Sequence, residues 1–246
     1  MELRDRARFG RGMVRRCPWA AGWGGGDGGV PREAYQGQLG ELTDLLVAMA
    51  QAATLAVRSA SQALLTVDSP AAQAVVCGDI TIDRLRAEVE ELAGTILVRQ
   101  QPVASDLRLV LASIRVAGDL ERMGDLAAHV AKIALRRYPV SAVPPVIAGV
   151  VAQMATAADR MGVKTTAVLA GHDRLDAAQL GLDDDEMDAL QRQLFASLVQ
   201  RWPYGTEAAV DAALLGRFYE RFADHAVSAA GQVVYVVTGH TRLDYR

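Results

Sequence analysis

Lysine is almost missing from this chain: Lys132 and Lys164 stand alone among many arginines. Cysteine is nearly as scarce. Cys17 and Cys77 are too few for a disulfide framework, which points to a reducing compartment. Aromatic residues make up 5% of the 246 positions while hydrophobic residues reach 51%. The core must therefore be built from Ala, Leu and Val, a composition suited to closely packed helices. No long apolar run is present: Leu45 to Val57 is too short and too Ala-rich to span a bilayer. The arginines near the N-terminus are followed by glycines rather than an apolar segment, so no signal peptide is expected. A net charge of −3 excludes the basic profile of a general nucleic-acid binder. The expectation is a cytoplasmic protein that meets a membrane only through partner complexes.

Proline is also rationed, and its placement divides the chain. Pro70, Pro102, Pro139, Pro144, Pro145 and Pro203 leave long proline-free runs, as helix interiors require. Those runs predict six helices, over 34–67, 70–100, 104–137, 145–170, 174–200 and 206–238. Ser69 is the expected N-cap of the second, with Pro70 at its first position. Gly171 is expected to stop the fourth helix and Asp173 to cap the fifth. Apolar residues recur at helical spacing, for example Leu107, Val110, Leu111 and Ile114. Residues 1–31 are different, Arg-rich and then Gly-rich, and read as a disordered tail. A sharper reading places the true start near Val30.

The chain repeats itself. Met49, Ala53, Leu64 and Asp68 fall onto Met154, Ala158, Leu169 and Asp173 at one constant offset, which also carries Asp79 and Asp83 onto Asp184 and Asp188. A slightly smaller offset carries Glu121 and Asp125 onto Glu220 and Asp224. Internal repetition outranks local propensity in fixing a fold. The expected architecture is all-α: two tandem three-helix bundles, residues 32–140 and 141–240.

The acids are the candidate site. Asp79/Asp83 and Glu121/Asp125 are mirror-placed about Pro102, and Asp184/Asp188 and Glu220/Asp224 about Tyr204. Spacing i,i+4 puts both acids of a pair on one helix face. Antiparallel folding at each centre brings four carboxylates to one level, and such a group calls for a cation. Hard oxygen donors suit Mg²⁺, Ca²⁺, Mn²⁺ or iron, with Zn²⁺ also open. His129, four residues after Asp125, is a possible additional ligand. A solvated acidic face is the bland alternative, and a metal-dependent enzyme in which a cluster activates water is the sharper one. Ferritin-like di-iron chemistry is disfavoured, because Gly124 and Ala223 stand where Glu-x-x-His would need histidine.

The stretch Gln100-Gln101-Pro102-Val103-Ala104-Ser105-Asp106-Leu107-Arg108, then Asp119-Leu120-Glu121-Arg122-Met123-Gly124-Asp125, resembles the PhoU family. So does Gly216-Arg217-Phe218-Tyr219-Glu220-Arg221-Phe222-Ala223-Asp224-His225-Ala226 in the second half. The resemblance covers about residues 32 to 238, and the chain is similar to actinobacterial, PhoY-like members in particular. It implies two three-helix bundles whose paired acidic motifs bind multinuclear metal clusters, here the eight carboxylates named above. It also implies a non-enzymatic negative regulator of the phosphate-starvation response and phosphate uptake. Such a protein links the ATPase of the phosphate ABC transporter to a sensor histidine kinase, and often forms a homodimer.

Overall fold

The computed structural model describes residues 32–171, 174–200 and 202–239, and all its regular structure is helical. Helix α1 (Arg32–Thr66) buries Leu39, Leu42, Leu46, Met49, Ala53, Val57, Ala60 and Leu64 at spacings of three and four, the stripe of a helix that faces a core. By length and composition α1 could cross a bilayer, but close to half of its most apolar window is buried inside the bundle. The helix stops at Val67, held at φ 59° in the left-handed region. The Asp68 N–H reaches back to the Ala63 carbonyl at 3.0 Å, which closes a Schellman-type end.

Asp68 then opens α2 (Ser69–Gly78). Its Oδ1 accepts from the Ala71 N–H at 3.0 Å. The cap is thus Asp68 rather than the expected Ser69, because a carboxylate already positioned by the preceding turn reaches the free N–H groups first. The expected helix 70–100 is divided in two: α2 ends at Gly78, and α3 runs from Ile80 to Gln100. Asp79 keeps helical angles (φ −56°, ψ −37°), so the chain is interrupted without turning back. Its carbonyl accepts from the Ile82 N–H at 2.9 Å and from the Asp83 N–H at 3.4 Å, a tightened first turn. Glycine followed by aspartate, both poor helix formers, accounts for the break. The equivalent Asp183-Asp184 lies within an unbroken helix.

Gln101 (φ 46°) ends α3, and α4 (Ala104–Arg137) returns antiparallel beside it. In the second half, α5 (Pro145–Leu169) stops at Gly171, whose φ of 92° suits glycine, as expected. Then α6 (Arg174–Val199) and α7 (Gly205–Thr238) form the second hairpin. The expected cap at Asp173, together with Cys17 and residues 1–31, lies outside the described residues.

Packing follows the repeat. Helix α1 packs on α4 with α2 and α3 alongside, and α5 packs on α7 with α6 alongside. Equivalent helices then join the two halves, α1 against α5 and α4 against α7. Repeat-equivalent Met49 and Met154, and Ala53 and Ala158, are all fully buried in one continuous core. Ser61 Oγ and Tyr219 Oη, 2.8 Å apart, add a buried polar link between the halves. Burial pushes the Tyr219 phenol up to about 12.

Candidate metal centres

The acids of each pair of facing helices are brought within electrostatic reach of one another. Asp79 sits at the α2–α3 break, Asp83 on the first turn of α3, and Glu121 and Asp125 on the facing stretch of α4. Close approach depends on Gly124: a Cβ there would lie 2.6 Å from Ile82 Cδ1 and 3.2 Å from Asp79 Oδ1. The Asp79 carboxylate is therefore laid over α4 at Gly124, the residue before Asp125. Its pKa is raised, first by burial, then by Asp125 and Asp83; Lys132 opposes the rise and Glu121 adds to it.

The second quartet joins Asp184 and Asp188 on α6 to Glu220 and Asp224 on α7. The pKa of Asp184 is pushed up to about 6 by burial, then by Asp224, Asp188, Asp185 and Glu220. Glu220 is raised by burial and Asp224, with Arg217 opposing. Like charges gathered in partly dry surroundings produce this pattern.

Cations from the protein already reach both groups. Arg86 Nη1 approaches Glu121 Oε1 at 3.4 Å while its Nε pairs with Glu90 at 2.9 Å. Arg122 pairs with Asp125 at 2.9 Å, the intrahelical contact its spacing suggests. Arg217 Nη1 donates to Glu220 Oε1 at 2.6 Å and also to Oε2. In the present rotamers no three His, Cys, Asp or Glu side chains among the described residues are gathered tightly enough to hold a metal ion. Yet each quartet contains one buried carboxylate oxygen without a hydrogen-bond partner, Glu121 Oε2 in the first, with Arg122 Nε 3.6 Å away, and Asp184 Oδ1 in the second. Hard oxygens, mutual repulsion and an orphaned buried acceptor together fit the chemistry of a hard cation.

His129 lies elsewhere. Its ring stacks on Phe218 with centroids 5.2 Å apart, on the seam between α4 and α7. Under the offset that carries Glu121 onto Glu220, the matching pair is Asp119 and Ser228, and these two are hydrogen-bonded at 2.8 Å. His225 Nδ1 also meets Asp119, at 2.9 Å. Sequence reading missed this seam, since its partners lie about a hundred positions apart; the repeat offset was the signal that could have found it. A second omission is buried Asp183, which takes Lys164 Nζ at 2.6 Å and Arg160 Nε at 3.4 Å. The run Asp183-Asp184-Asp185 thus divides its charges: one towards α5, one into the quartet, one exposed.

Comparison with known proteins bears on both halves. A family model described as "PhoU domain" matches residues 46–134 and 151–233, one segment in each bundle. This chain belongs to the PhoU family. It is 46% identical over 209 residues to "Phosphate-specific transport system accessory protein PhoU homolog 2" of Mycobacterium tuberculosis, covering 85% of this chain and 98% of that protein. It is 43% identical to PhoU homolog 1 of Mycobacterium leprae, covering 85% and 94%. Among solved structures, PhoU from Pseudomonas aeruginosa superposes with a TM-score of 0.76 at 28% identity, over 84% of this chain and all of the other. The phosphate transport system regulatory protein PhoU from Streptococcus pneumoniae gives 0.73 at 23% identity, over 85% and 99%, a likeness of fold. Each match spans the acids of one quartet, carried at the start of α3 and on α4 in the first half and on α6 and α7 in the second.

Proposed function

We propose that this protein is a cytoplasmic accessory regulator of a phosphate-specific transport system, acting as a metal-binding adaptor rather than an enzyme. In this reading it holds down phosphate uptake and the phosphate-starvation response by linking the transporter's ATPase to a sensor histidine kinase, as a homodimer. The observation that carries the reading is near-complete coverage of relatives named as transport-system accessory proteins. Asp79, Asp83, Glu121 and Asp125 would hold cations in the first domain, and Asp184, Asp188, Glu220 and Asp224 in the second. A bound cation supplies positive charge that cancels carboxylate repulsion. The chain's own part is to hold α3 against α4 and α6 against α7, so that the acids converge from separate helices.

The enzymatic alternative lacks support from the histidines that follow the acidic motifs. His129 is stacked on Phe218 and His225 is bonded to Asp119, so both are engaged on the α4–α7 seam. The test is deletion of the gene followed by transcript measurement in phosphate-rich medium. Phosphate-responsive transcripts rise in the deletion strain and return to the repressed level with the wild-type gene. Unchanged repression in the deletion strain, with any paralogue also removed, overturns the reading.

A further inference from the structure

The two quartets are matched in carboxylates but not in the cations around them. Arg86 reaches from α3 to Glu121 on α4 and is anchored on its own helix by Glu90. The repeat places Gln191 at the equivalent position, a side chain of similar reach without charge. Lys132, whose charge is felt at Asp79, has Gly231 as its counterpart. The first quartet is thus faced by Arg86, Lys132 and Arg122, the last paired with Asp125.

The counterpart of Arg122 is Arg221, an exposed residue, and the ion-paired opposing charge in the second quartet comes from Arg217, whose counterpart in the first repeat is Gly118. Arg217 is half exposed and sits one turn before Glu220 on the same helix, so it can swing into solvent without breaking an interhelical contact. Asp185 adds further negative charge beside Asp184.

We infer that the two quartets are unequal cation sites: Asp184/Asp188/Glu220/Asp224 takes a divalent cation first, and Arg86 holds Asp79/Asp83/Glu121/Asp125 in reserve as a built-in competitor. This rests on the cation-binding reading proposed above. A unit positive charge about 6 Å from a divalent ion lowers affinity about tenfold even at the dielectric constant of water. The first quartet therefore loads only at higher cation concentration, which gives the protein two thresholds in place of one.

The test is calorimetric titration of the full chain with Mn²⁺, supported by electron paramagnetic resonance of free Mn²⁺. Two binding steps are expected, about tenfold or more apart. The tighter is lost in Glu220→Gln/Asp224→Asn and the weaker in Glu121→Gln/Asp125→Asn. Arg86→Gln, which copies the second repeat, tightens the weaker step about tenfold, and Gln191→Arg weakens the tighter one by a similar factor. Circular dichroism confirms that each variant keeps its helices. Equal steps, a tighter step lost with the first quartet, or no response to Arg86→Gln overturns the inference while leaving cation binding intact. Absence of any Mn²⁺ uptake removed by the quartet variants overturns the cation reading itself.

Discussion

Gly162 offers a test in which local and tertiary physics predict opposite signs. It lies inside α5, where alanine should be favoured by about 1 kcal/mol on helix propensity alone. The structure places α1 against that position. A Cβ at residue 162 would lie 2.6 Å from Thr54 Oγ1 and 3.1 Å from both Thr54 Cβ and Cγ2. Thr54 cannot easily give way. It is buried, β-branched, and its hydroxyl donates to the Ala50 carbonyl at 2.7 Å. Overpacking of this kind costs about 1–3 kcal/mol, and a broken hydrogen bond about 1 kcal/mol more. Set against the propensity gain, Gly162→Ala should destabilise by about 1–3 kcal/mol. In a chain this long that lowers the melting temperature by about 2–12 °C. Thr54→Ala removes two of the three clashing atoms, so in that background the same substitution should cost at least about 1 kcal/mol less, a coupling that a double-mutant cycle reads directly. Thermal and urea melts of the four proteins decide the matter. A higher melting temperature for Gly162→Ala alone, or the same change in both backgrounds, would refute the close α1–α5 approach.

Asp211 on α7 is buried and accepts from Arg136 Nη2 at 2.6 Å and from Arg137 Nε, both on α4. Asp211→Ala should cost about 3 kcal/mol in urea unfolding, towards the low end for a broken buried pair because Arg136 is 58% exposed and can be resolvated. Asp79, Asp184 and Glu220 have folded-state pKa values above their ordinary ones, so the cation-free folded protein holds these protons more tightly than the unfolded chain. Their contribution to stability is then fully present below the unfolded values, near 4, and is lost as pH rises through the raised folded values, for Asp184 through about 6. Urea melts between pH 4.5 and 7 should show this component, and Asp184→Asn should reduce it; an identical pH profile in the variant would count against the clustering. Millimolar Mn²⁺ should raise the wild-type melting temperature and leave a variant lacking both quartets unmoved. Gly124→Ala, which pushes on Ile82 and Asp79, should weaken Mn²⁺ uptake by the first quartet and leave the second unchanged.

The acids were legible because two simple geometries compound. An i,i+4 pair shares a helix face, and a short connection at Pro102 or Pro203 forces the next helix back alongside. Glu121 therefore had to return to the level of Asp83. The arginines were not legible in the same way. Whether Arg86 reaches Glu90, Glu121 or solvent depends on the rotation of α3 against α4, which spacing does not encode. The break at Asp79 turns on a single Gly-Asp step within an otherwise good helix, where propensity is a weak guide. The cap shifted from Ser69 to Asp68 because two neighbouring residues could each serve, and helix ends are uncertain by that much. The α4–α7 seam stayed hidden for a different reason. His129 reads as a continuation of the acidic face along its own helix, and only the second repeat supplies Phe218 as the ring it lies on.

One small feature governs more than its size suggests. Asp68 closes α1 with its backbone N–H and opens α2 with its side chain, so the passage from one helix to the next contains no spare residue. Slack at that corner would let α2 and α3 slide along α1 like a loosely threaded bolt, carrying Asp79 and Asp83 past their partners on α4. With the thread tight, the placement of Asp79 and Asp83 opposite α4 is decided by the corner at Asp68.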